Sequence, residues 1–366
     1  MANYYVGLMS GTSLDAIDCA VVDFSNGARL VAAESYPIAP ETRQRILELC
    51  QPSDNEIDKL GPLDRQLGID FANAVTATLN RHNIAHENIV AIGSHGQTVR
   101  HRPNADTSIS FTLQIGDPNT IAFLTGIDTV ADFRRKDIAA GGQGAPLVPA
   151  FHQAMFNHKK DCALLNIGGM ANVSLLNAPL LGFDTGPGNA LIDHFCREYF
   201  SADYDAGGRI AASGKIHLDL LEQFKKHPFF LAPAPKSCGR ENFNSAWVAE
   251  SMDALGTKVS PTDLIATLTE LTAWSIHQGL LNSQRSISEI VVCGGGAFND
   301  HLCQRLGTLS GIKVVSSNIY GIAPQWMEAI AFAWFAMRTL NRLHGNCPSV
   351  TGASKELVLG AIYCGK

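Results

Sequence analysis

The chain has 366 residues, of which 46% are hydrophobic and 17% are charged, and its formal net charge is −6. This length favours two domains, because single cores rarely grow beyond roughly 250 to 300 residues. The negative charge offers no long-range attraction for nucleic acid or anionic lipid, so neither is expected as a partner. No basic leader precedes the first strand pattern, and the apolar stretch 329–337 is too short to span a bilayer, so a cytoplasmic protein is expected.

The nine cysteines are an odd number and contain no Cys-x-x-Cys pair. Most of them, such as Cys19, Cys162 and Cys293, lie in apolar stretches. Such positions predict reduced thiols in the core of a cytoplasmic protein, with zinc ligation as the alternative.

An apolar run from Tyr4 to Met9 breaks at small residues and resumes from Ala16 to Phe24, which predicts an N-terminal β-hairpin. The break contains Gly11, Thr12 and Ser13. Small residues let backbone N–H groups approach phosphate oxygens, so this turn is a candidate phosphate loop. Taken alone it is weak evidence, because many hairpins carry a glycine turn.

A strand pattern over 89–92 leads into the polar cluster 93–102, which combines hydroxyl, amide, imidazole and guanidinium groups. Such a cluster suits a polar ligand. His95, Gln97 and Thr98 are its candidate substrate-binding residues. A structural histidine bonded to backbone is the alternative interpretation of His95.

Charged residues and glycines interrupt the pattern over 132–144, and we place the domain boundary there. The predicted domains are 1–132, to which 346–366 can return through a strand-like segment, and 133–345. Arg134 is a candidate for binding an acidic substituent of a substrate, because a guanidinium binds carboxylates through two N–H groups. A solvated surface is the alternative interpretation of this charge run.

A second hairpin is predicted where the buried run 161–167 breaks at 168–172 and resumes at 173–176. It repeats the first hairpin half a chain later, as an internal duplication of a domain would. Gly168 and Gly169 in its turn form a second candidate phosphate loop.

The block 183–189, FDTGPGN, supplies the candidate catalytic residue, Asp184. A carboxylate in a loop that opens a helix can accept a proton from water or a sugar hydroxyl, while Mg²⁺ and N–H donors neutralise a transferring phosphoryl group. Gly186 and Gly188 end a buried strand there. The alternatives are that Asp184 only caps a turn and that Asn189 only caps the helix.

A third glycine turn, Gly294, Gly295 and Gly296, lies between a buried strand pattern at 289–293 and a helix expected over 299–309 with an Asn cap. A strand, a glycine turn and a helix N-terminus can bind an anion or a nucleotide. No Walker sequence is present, which argues against a P-loop ATPase, and a Rossmann interpretation lacks its acidic partner.

Strands alternate with helical segments along the chain, which indicates α/β architecture. The clearest helical patterns are 41–49, 63–79, 189–199 and 261–281. The glycine turns all end buried strands, so they can converge on one cleft.

Four blocks together resemble the anhydro-N-acetylmuramic acid kinase family of the actin, heat-shock chaperone and sugar kinase superfamily. The blocks are Gly7 to Asp15 (GLMSGTSLD), Ser94 to Thr98 (SHGQT), Asn166 to Asn172 (NIGGMAN) and Phe183 to Asn189 (FDTGPGN). The resemblance covers essentially the whole chain. It implies a two-domain actin-like ATPase (ribonuclease H-like) fold of the α/β class with a central nucleotide cleft.

The resemblance further implies a peptidoglycan-recycling kinase that converts 1,6-anhydro-N-acetylmuramic acid, ATP and water into N-acetylmuramic acid 6-phosphate and ADP, with Mg²⁺. Asp184 matches the family's general base for the attacking water, Glu328 matches its acidic substrate residue, and the substrate's lactyl carboxylate would suit Arg134. Family members form homodimers. The family's nucleotide segment falls on Gly11 to Asp18. The expected nucleotide-binding residues are Gly11, Thr12, Ser13, Leu14, Asp15, Ala16, Ile17, Asp18, Asn166, Gly168, Gly169, Gly186, Gly188, Asn189, Gly294, Gly295 and Gly296.

Three alternatives remain: a kinase of the same fold for another sugar or carboxylate, a non-enzymatic ATP-dependent switch protein, and an anhydro-sugar hydrolase without ATP. The first would retain activity in Asp184→Asn. The switch lacks a visible peptide-binding domain, and the hydrolase does not explain glycine turns that suit phosphates.

Overall fold

The computed structural model describes residues 3–11, 14–103, 109–159, 161–234, 236–239 and 242–366. It divides the chain into two compact units. The first comprises Met1–Met155 and Trp326–Lys366, and the second comprises Phe156–Gln325.

Helices and strands alternate in both units, which confirms the α/β class. The strands are β1 (Tyr4–Ser10), β2 (Ala16–Asp23), β3 (Arg29–Pro37), β4 (Ile89–Ser94), β5 (Gln97–Arg102), β6 (Phe111–Ile115), β7 (Thr129–Ala131), β8 (Cys162–Ile167), β9 (Met170–Leu175), β10 (Leu181–Pro187), β11 (Glu289–Cys293), β12 (Lys313–Ser316) and β13 (Ala361–Tyr363). The helices are α1 (Pro40–Leu49), α2 (Glu56–Arg81), α3 (Pro118–Thr125), α4 (Arg135–Ala139), α5 (Val148–Met155), α6 (Ala190–Phe200), α7 (Arg209–Ser213), α8 (Leu218–Lys225), α9 (Pro228–Leu231), α10 (Ser245–Leu255), α11 (Pro261–Asn282), α12 (Asp300–Ser310), α13 (Met327–Leu340) and α14 (Pro348–Thr351).

The sheet of the first unit has the strand order β13-β7-β4-β1-β2-β3. β1 pairs antiparallel with β2, which confirms the predicted N-terminal hairpin. β2 continues antiparallel to β3, whereas β1 is parallel to β4 and β4 is parallel to β7. At the other edge the C-terminal strand β13 pairs antiparallel with β7.

The two faces of this sheet are covered differently. On one face, Val6 and Leu8 of β1 share a buried core with Phe71 of α2. On the other face, glycines admit the backbone of α13: a Cβ on Gly7 would lie 1.8 Å from the carbonyl oxygen of Ala329. Because strand side chains alternate between faces, α13 can rest directly on β1. This contact sets the position of Glu328 in the first turn of α13.

The sheet of the second unit has the order β10-β9-β8-β11-β12. Its first three strands are antiparallel neighbours, and β11 is parallel to both β8 and β12. The first unit arranges β3, β2, β1, β4 and β7 in the same way. This repeated order confirms the predicted two-domain, ribonuclease H-like fold class and agrees with an internal duplication. The second hairpin also forms, although β9 begins at Met170 rather than at residue 173.

Packing explains where the first unit ends. Phe133 packs against Phe332 of α13 with ring centroids 5.6 Å apart, and Phe151 of α5 packs against Trp334 at 5.8 Å. Residues 133–155 therefore belong with α13 in the first unit. The structure divides the chain after Met155 and after Gln325, instead of within 132–144 and at 345.

Helix termini in the second unit follow their sequence signals. Asn299 opens α12 by accepting the Leu302 N–H at 2.9 Å, as predicted, and Ser260 caps α11. In the first unit α2 begins at Glu56, before the predicted residue 63. Cys19, Cys162 and Cys293 are almost completely buried, as expected for core thiols. Across the described residues, none of the helices has the length and apolarity needed to cross a membrane.

Candidate active site

Three glycine turns meet in the second unit, each at the end of a strand. The turn 168–169 follows β8, and its two carbonyls accept the N–H groups of Asn189 at 2.8 Å and of Gly188 at 2.9 Å. Gly294, at the end of β11, lies so close to β8 that an added Cβ would stand 2.4 Å from Oδ1 of Asn166. The structure thus joins the predicted turns 168–169, 186–189 and 294–296 into one group, called the glycine cluster below.

The glycines of this cluster differ in what packing requires of them. A Cβ on Gly188 would lie 2.4 Å from the Gly168 carbonyl oxygen, and a Cβ on Gly296 would lie 2.4 Å from the Ile167 side chain. At Gly168 and Gly295 the nearest neighbour of an added Cβ would be 3.7 Å away, and neither residue has a positive φ. Protein packing therefore does not require glycine at these two positions. Open space at these positions is what a phosphate needs, although the Gly168 N–H itself donates to the Met170 carbonyl at 3.2 Å.

Asn189 precedes α6, but its side chain forms no cap bond. Its Nδ2 donates instead to the carbonyl oxygen of Ile167 at 3.2 Å, which ties the start of α6 to the end of β8. The alternative that Asn189 serves only as a helix cap is therefore not supported. Asn166, one residue earlier on β8, is 9% exposed and lies against Gly294.

Asp184 lies inside β10, opposite Asn172 of β9, and not in the loop that was expected. The strand register shifts between Asp184 and Gly186, where β10 approaches the glycine cluster. Oδ2 of Asp184 accepts the Cys238 N–H at 2.9 Å, and the Asp184 N–H donates to the Lys236 carbonyl at 2.9 Å. The half-buried carboxylate thus bonds a segment that lies 54 positions away in the sequence.

The segment 236–238 was not found by sequence reasoning. It follows a short stretch rich in alanine and proline that has neither strand nor helix periodicity. Its contacts to Asp184 are made by backbone groups, which leave no signature in residue type. Only the folded chain could have identified it.

A polar cluster also lies in the first unit, at the carboxyl ends of β1 and β4. Ser10 Oγ donates to Gln97 Oε1 at 2.6 Å, and Gln97 Nε2 donates to the Thr98 carbonyl at 3.1 Å. Gln97 is only 1% exposed. Thr98 Oγ1 accepts from Gln114 at 3.0 Å. The predicted substrate residues Gln97 and Thr98 are therefore both bonded within the protein.

His95 is held by Arg134. His95 Nε2 accepts from Nε of Arg134 at 3.1 Å and from Nη2 at 2.9 Å, while Nδ1 lies 2.7 Å from the Gly96 carbonyl oxygen. Two donors on Nε2 assign the ring proton to Nδ1, which donates to Gly96. Burial, with a smaller contribution from Arg134, lowers the pKa of His95 to about 3. His95 is therefore neutral at physiological pH, and the structural interpretation of this histidine is supported.

Arg134 is anchored on its other side by a buried aspartate that sequence reasoning assigned only to a charge run. Arg134 Nη1 donates to the Gly144 carbonyl at 2.9 Å. The Gly144 N–H donates to Asp137, which is 0% exposed and also accepts from Asn346 and Thr351, each bond being 2.8 Å long. Asp137 thus fixes the loop that fixes Arg134. Burial lowers the pKa of Arg134 to about 10.

Two carboxyl groups, Asp18 of β2 and Glu328 of α13, share this environment. Burial raises the pKa of Asp18 to about 6, although Ser35 Oγ donates to it at 2.8 Å. Burial is also the main reason why the pKa of Glu328 is raised. The positive charge of Arg134 partly opposes this shift, and the charge of Asp18 adds to it. The structure therefore brings Glu328 into electrostatic contact with Arg134 and Asp18, and His95 joins them through Arg134.

The rest of the predicted nucleotide segment is only partly accessible. Thr12 and Ser13 lie outside the described residues. Leu14 and Ile17 are each 3% exposed in the core, so their side chains face no ligand. Asp15 is exposed, 3.7 Å from Nη2 of Arg43. The half-exposed residues of the segment are Gly11, Ala16 and Asp18.

A family model for anhydro-N-acetylmuramic acid kinase matches residues 3–365. The chain belongs to this family. It is 52% identical to the anhydro-N-acetylmuramic acid kinase of Saccharophagus degradans, over 98% of each chain. It is 50% identical to that of Shewanella pealeana, over 99% of this chain and 98% of the relative. The chain is accordingly a kinase, as the sequence blocks predicted.

Solved structures resemble the chain more distantly. The activator of 2-hydroxyisocaproyl-CoA dehydratase from Clostridium difficile aligns at 12% identity and a TM-score of 0.49, over 93% of this chain and 96% of the other. The ROK hexokinase of Thermus thermophilus aligns at 13% identity and a TM-score of 0.41, over 91% and 99%.

An anhydro-N-acetylmuramic acid kinase needs a site for ATP phosphates, and the glycine cluster fits this need through its open positions at Gly168 and Gly295. For the metal, the described residues contain no group of three or more His, Cys, Asp or Glu side chains that could hold an ion. Mg²⁺ at kinase sites takes much of its coordination from phosphates and water, so it needs no such group.

Proposed function

We propose that the chain converts 1,6-anhydro-N-acetylmuramic acid, ATP and water into N-acetylmuramic acid 6-phosphate and ADP. The family match over residues 3–365 and the relatives of about 50% identity that carry this name support the proposal. The reaction opens an anhydro bridge and phosphorylates the oxygen that the opening releases.

The observation that carries the proposal is the course of β10. This strand holds Asp184 and then runs through Gly186 to Pro187, and the next residue, Gly188, bonds the turn 168–169. A carboxylate and a candidate phosphate site are thus connected by four residues of one irregular strand. A base for water and a cradle for phosphates are the two parts that a hydrolysing kinase requires.

Asp184 acts in this proposal as the general base. It accepts a proton from the water that attacks the anomeric carbon, the bond from that carbon to O6 breaks, and O6 takes the γ-phosphoryl group. The Cys238 N–H donates to Oδ2 and so holds the carboxylate of the proposed base in place. When bound, Mg-ATP supplies the phosphoryl group and neutralises its charge. The glycine cluster, and the segment from Gly11 to Asp18, are proposed to bind the nucleotide.

The polar cluster of the first unit is proposed to bind the sugar. Each terminal nitrogen of Arg134 carries a second N–H beyond its bonds to His95 and Gly144, and such donors suit the lactyl carboxylate. Glu328, in the first turn of α13, is proposed to bond a sugar hydroxyl. His95, Gln97 and Thr98 then support the site from within the protein.

Three further parts of the proposal come from the family resemblance: Mg²⁺ as the metal, a cytoplasmic location and a homodimer. Each has a direct check. EDTA should abolish turnover and Mg²⁺ restore it, and sedimentation should give twice the chain mass. Fractionation of cells that express the chain should leave it with the cytoplasm.

The proposed function is tested by incubating the purified protein with Mg-ATP and the anhydro sugar and measuring ADP and sugar phosphate. We expect ADP and sugar phosphate in equal amounts. Neither product should form when ATP or the anhydro sugar is left out. ADP formed without sugar phosphate would indicate an ATP-dependent switch. Opened sugar formed without ATP would indicate a hydrolase. Phosphorylation of a different sugar only would indicate a kinase of the same fold with another substrate.

A further inference from the structure

The proposed base Asp184 is held through a segment that packs on it from outside its own sheet. Asp184 forms two hydrogen bonds with this segment, each 2.9 Å long: its N–H donates to the Lys236 carbonyl, and its Oδ2 accepts from the Cys238 N–H. This pair of bonds resembles the pairing of two β-strands, except that one acceptor is the side-chain carboxylate of Asp184 and not a backbone carbonyl. The position of this carboxylate therefore depends on where residues 236–238 lie.

Lys236 anchors that segment. Its Nζ donates to the Phe229 carbonyl at 2.8 Å and reaches the Phe230 carbonyl at 3.5 Å, at the end of α9. Nζ also lies 4.4 Å from the centre of the Phe229 ring. An ammonium that satisfies terminal helix carbonyls and faces an aromatic ring is held by several contacts at once. The half-buried side chain of Lys236 thus ties the segment to α9.

α9 is in turn fixed to the core. Phe230 is 6% exposed and stacks on Phe243 with ring centroids 5.4 Å apart. It also packs edge-on against Trp274 of α11 at 5.3 Å. A Cβ on Gly186 would lie 2.9 Å from the Phe230 ring, so α9 rests directly on β10. A continuous series of contacts therefore runs from the aromatic core through Lys236 to the carboxylate.

We propose that Lys236 is a positioning residue for Asp184. Its ammonium does not bind the nucleotide; it holds the backbone of 236–238, which sets the orientation of the carboxylate toward the attacking water. This inference rests on the proposed function, because it assigns Asp184 the role of base. A small misplacement of a reacting group is enough to lose much of its rate.

The test compares Lys236→Met, Lys236→Arg and the matched control Lys225→Met. Lys225 also places its Nζ over an aromatic ring of this unit, Trp274 at 5.1 Å, and its ammonium pairs with Glu222 at 2.7 Å. We expect Lys236→Met to lower kcat by about tenfold or more while KM for ATP stays within about twofold of the wild type. Lys236→Arg, which keeps the donor, should restore most of kcat, and Lys225→Met should retain wild-type values.

The outcomes separate the two claims. If the wild type is active and Lys236→Met keeps its kcat, the positioning role is wrong and the proposed function stands. A rise in KM for ATP that matches the fall in kcat/KM would instead make Lys236 a nucleotide ligand. Failure of Lys236→Arg to recover any kcat would also overturn the inference. An inactive wild type would overturn the proposed function and this inference together.

Discussion

The polar cluster of the first unit and the glycine cluster of the second lie on sheets that share a five-strand order. The first cluster consists mainly of ionisable and polar side chains, whereas the second consists mainly of backbone groups. The first contains four ionisable side chains whose pKa values burial shifts: His95, which is buried, and Asp18, Arg134 and Glu328, which are half-buried. The second contains backbone groups and glycines around one carboxylate, Asp184. The two units thus share a five-strand order, and the residues at their strand ends differ in chemistry.

The difference predicts what each cluster tolerates. In the polar cluster we expect the balance of charges to decide stability, because burial shifts the pKa of each group. In the glycine cluster we expect free space to decide nucleotide binding, because an added Cβ would occupy room that the proposed phosphate site requires. Substitutions that alter charge should therefore act mainly on the first, and substitutions that alter volume mainly on the second.

The largest effect is expected from Asp184→Asn. Loss of the base should lower kcat by roughly 10² to 10⁴, while the affinity for ATP and the melting temperature remain near those of the wild type. Steady-state kinetics measure kcat, calorimetric titration with ADP measures nucleotide affinity, and thermal unfolding gives the melting temperature. Asp219→Asn, an exposed aspartate of the same unit, is the control and should be neutral. Weakened nucleotide binding or unfolding of Asp184→Asn would make Asp184 structural.

Buried histidine should make the first unit sensitive to acid. The pKa of His95 falls from 6.5 to about 3 on folding, so between these values the unfolded chain binds more protons and stability falls as the pH falls. This one group should remove about 2 kcal/mol of unfolding free energy between pH 7 and pH 5.

Urea unfolding of His95→Gln at both pH values measures this contribution. The variant should lose less stability on acidification than the wild type, whatever its stability at pH 7. An equal loss in the two proteins would show that His95 titrates normally in the folded chain.

A smaller effect, on nucleotide affinity, is expected from Gly168→Ala. The added methyl group meets no protein atom closer than 3.7 Å, so the fold should be retained. Because it enters the proposed phosphate space, the Kd for ADP should rise by about tenfold, or about 1.4 kcal/mol. Gly307→Ala in α12, where the nearest neighbour is also 3.7 Å away, should leave the Kd unchanged. Equal affinities in both variants would exclude a ligand at Gly168.

The smallest effect is expected from Asp18→Asn. The folded pKa of about 6 lies above the usual 3.8, so the fold prefers the neutral acid and ionisation destabilises it as the pH rises through 6. The variant should therefore be slightly more stable than the wild type at pH 8, and the gain should shrink by pH 5. If Asp18→Asn has a lower unfolding free energy than the wild type at pH 8, ionisation of Asp18 does not destabilise the fold and this account of it is wrong.

Sequence patterns predicted the features that depend on local residue types. Both hairpins, the three glycine turns of the second unit and the Asn299 cap were predictable, because turns and caps demand particular residues. The role of Asp184 stays a prediction, and its location in a strand was not foreseen because glycines on either side of it favoured a loop.

The supporting residues could not be predicted, because they act through long-range contacts. Asp137 bonds Asn346 and Thr351 more than 200 positions away, and no local pattern distinguishes it from the exposed Arg135 and Lys136 beside it. Lys236 lies in a segment without periodicity. Both residues require the fold before their function can be stated.

The most direct test of the central claim uses ¹⁸O-labelled water with Mg-ATP and the anhydro sugar, followed by mass spectrometry of the sugar product. The account predicts sugar phosphate with one ¹⁸O at the anomeric carbon and none in the phosphate group, and no such product from Asp184→Asn. Sugar that is recovered intact, or a phosphate that carries the label, would contradict the coupled opening and phosphorylation.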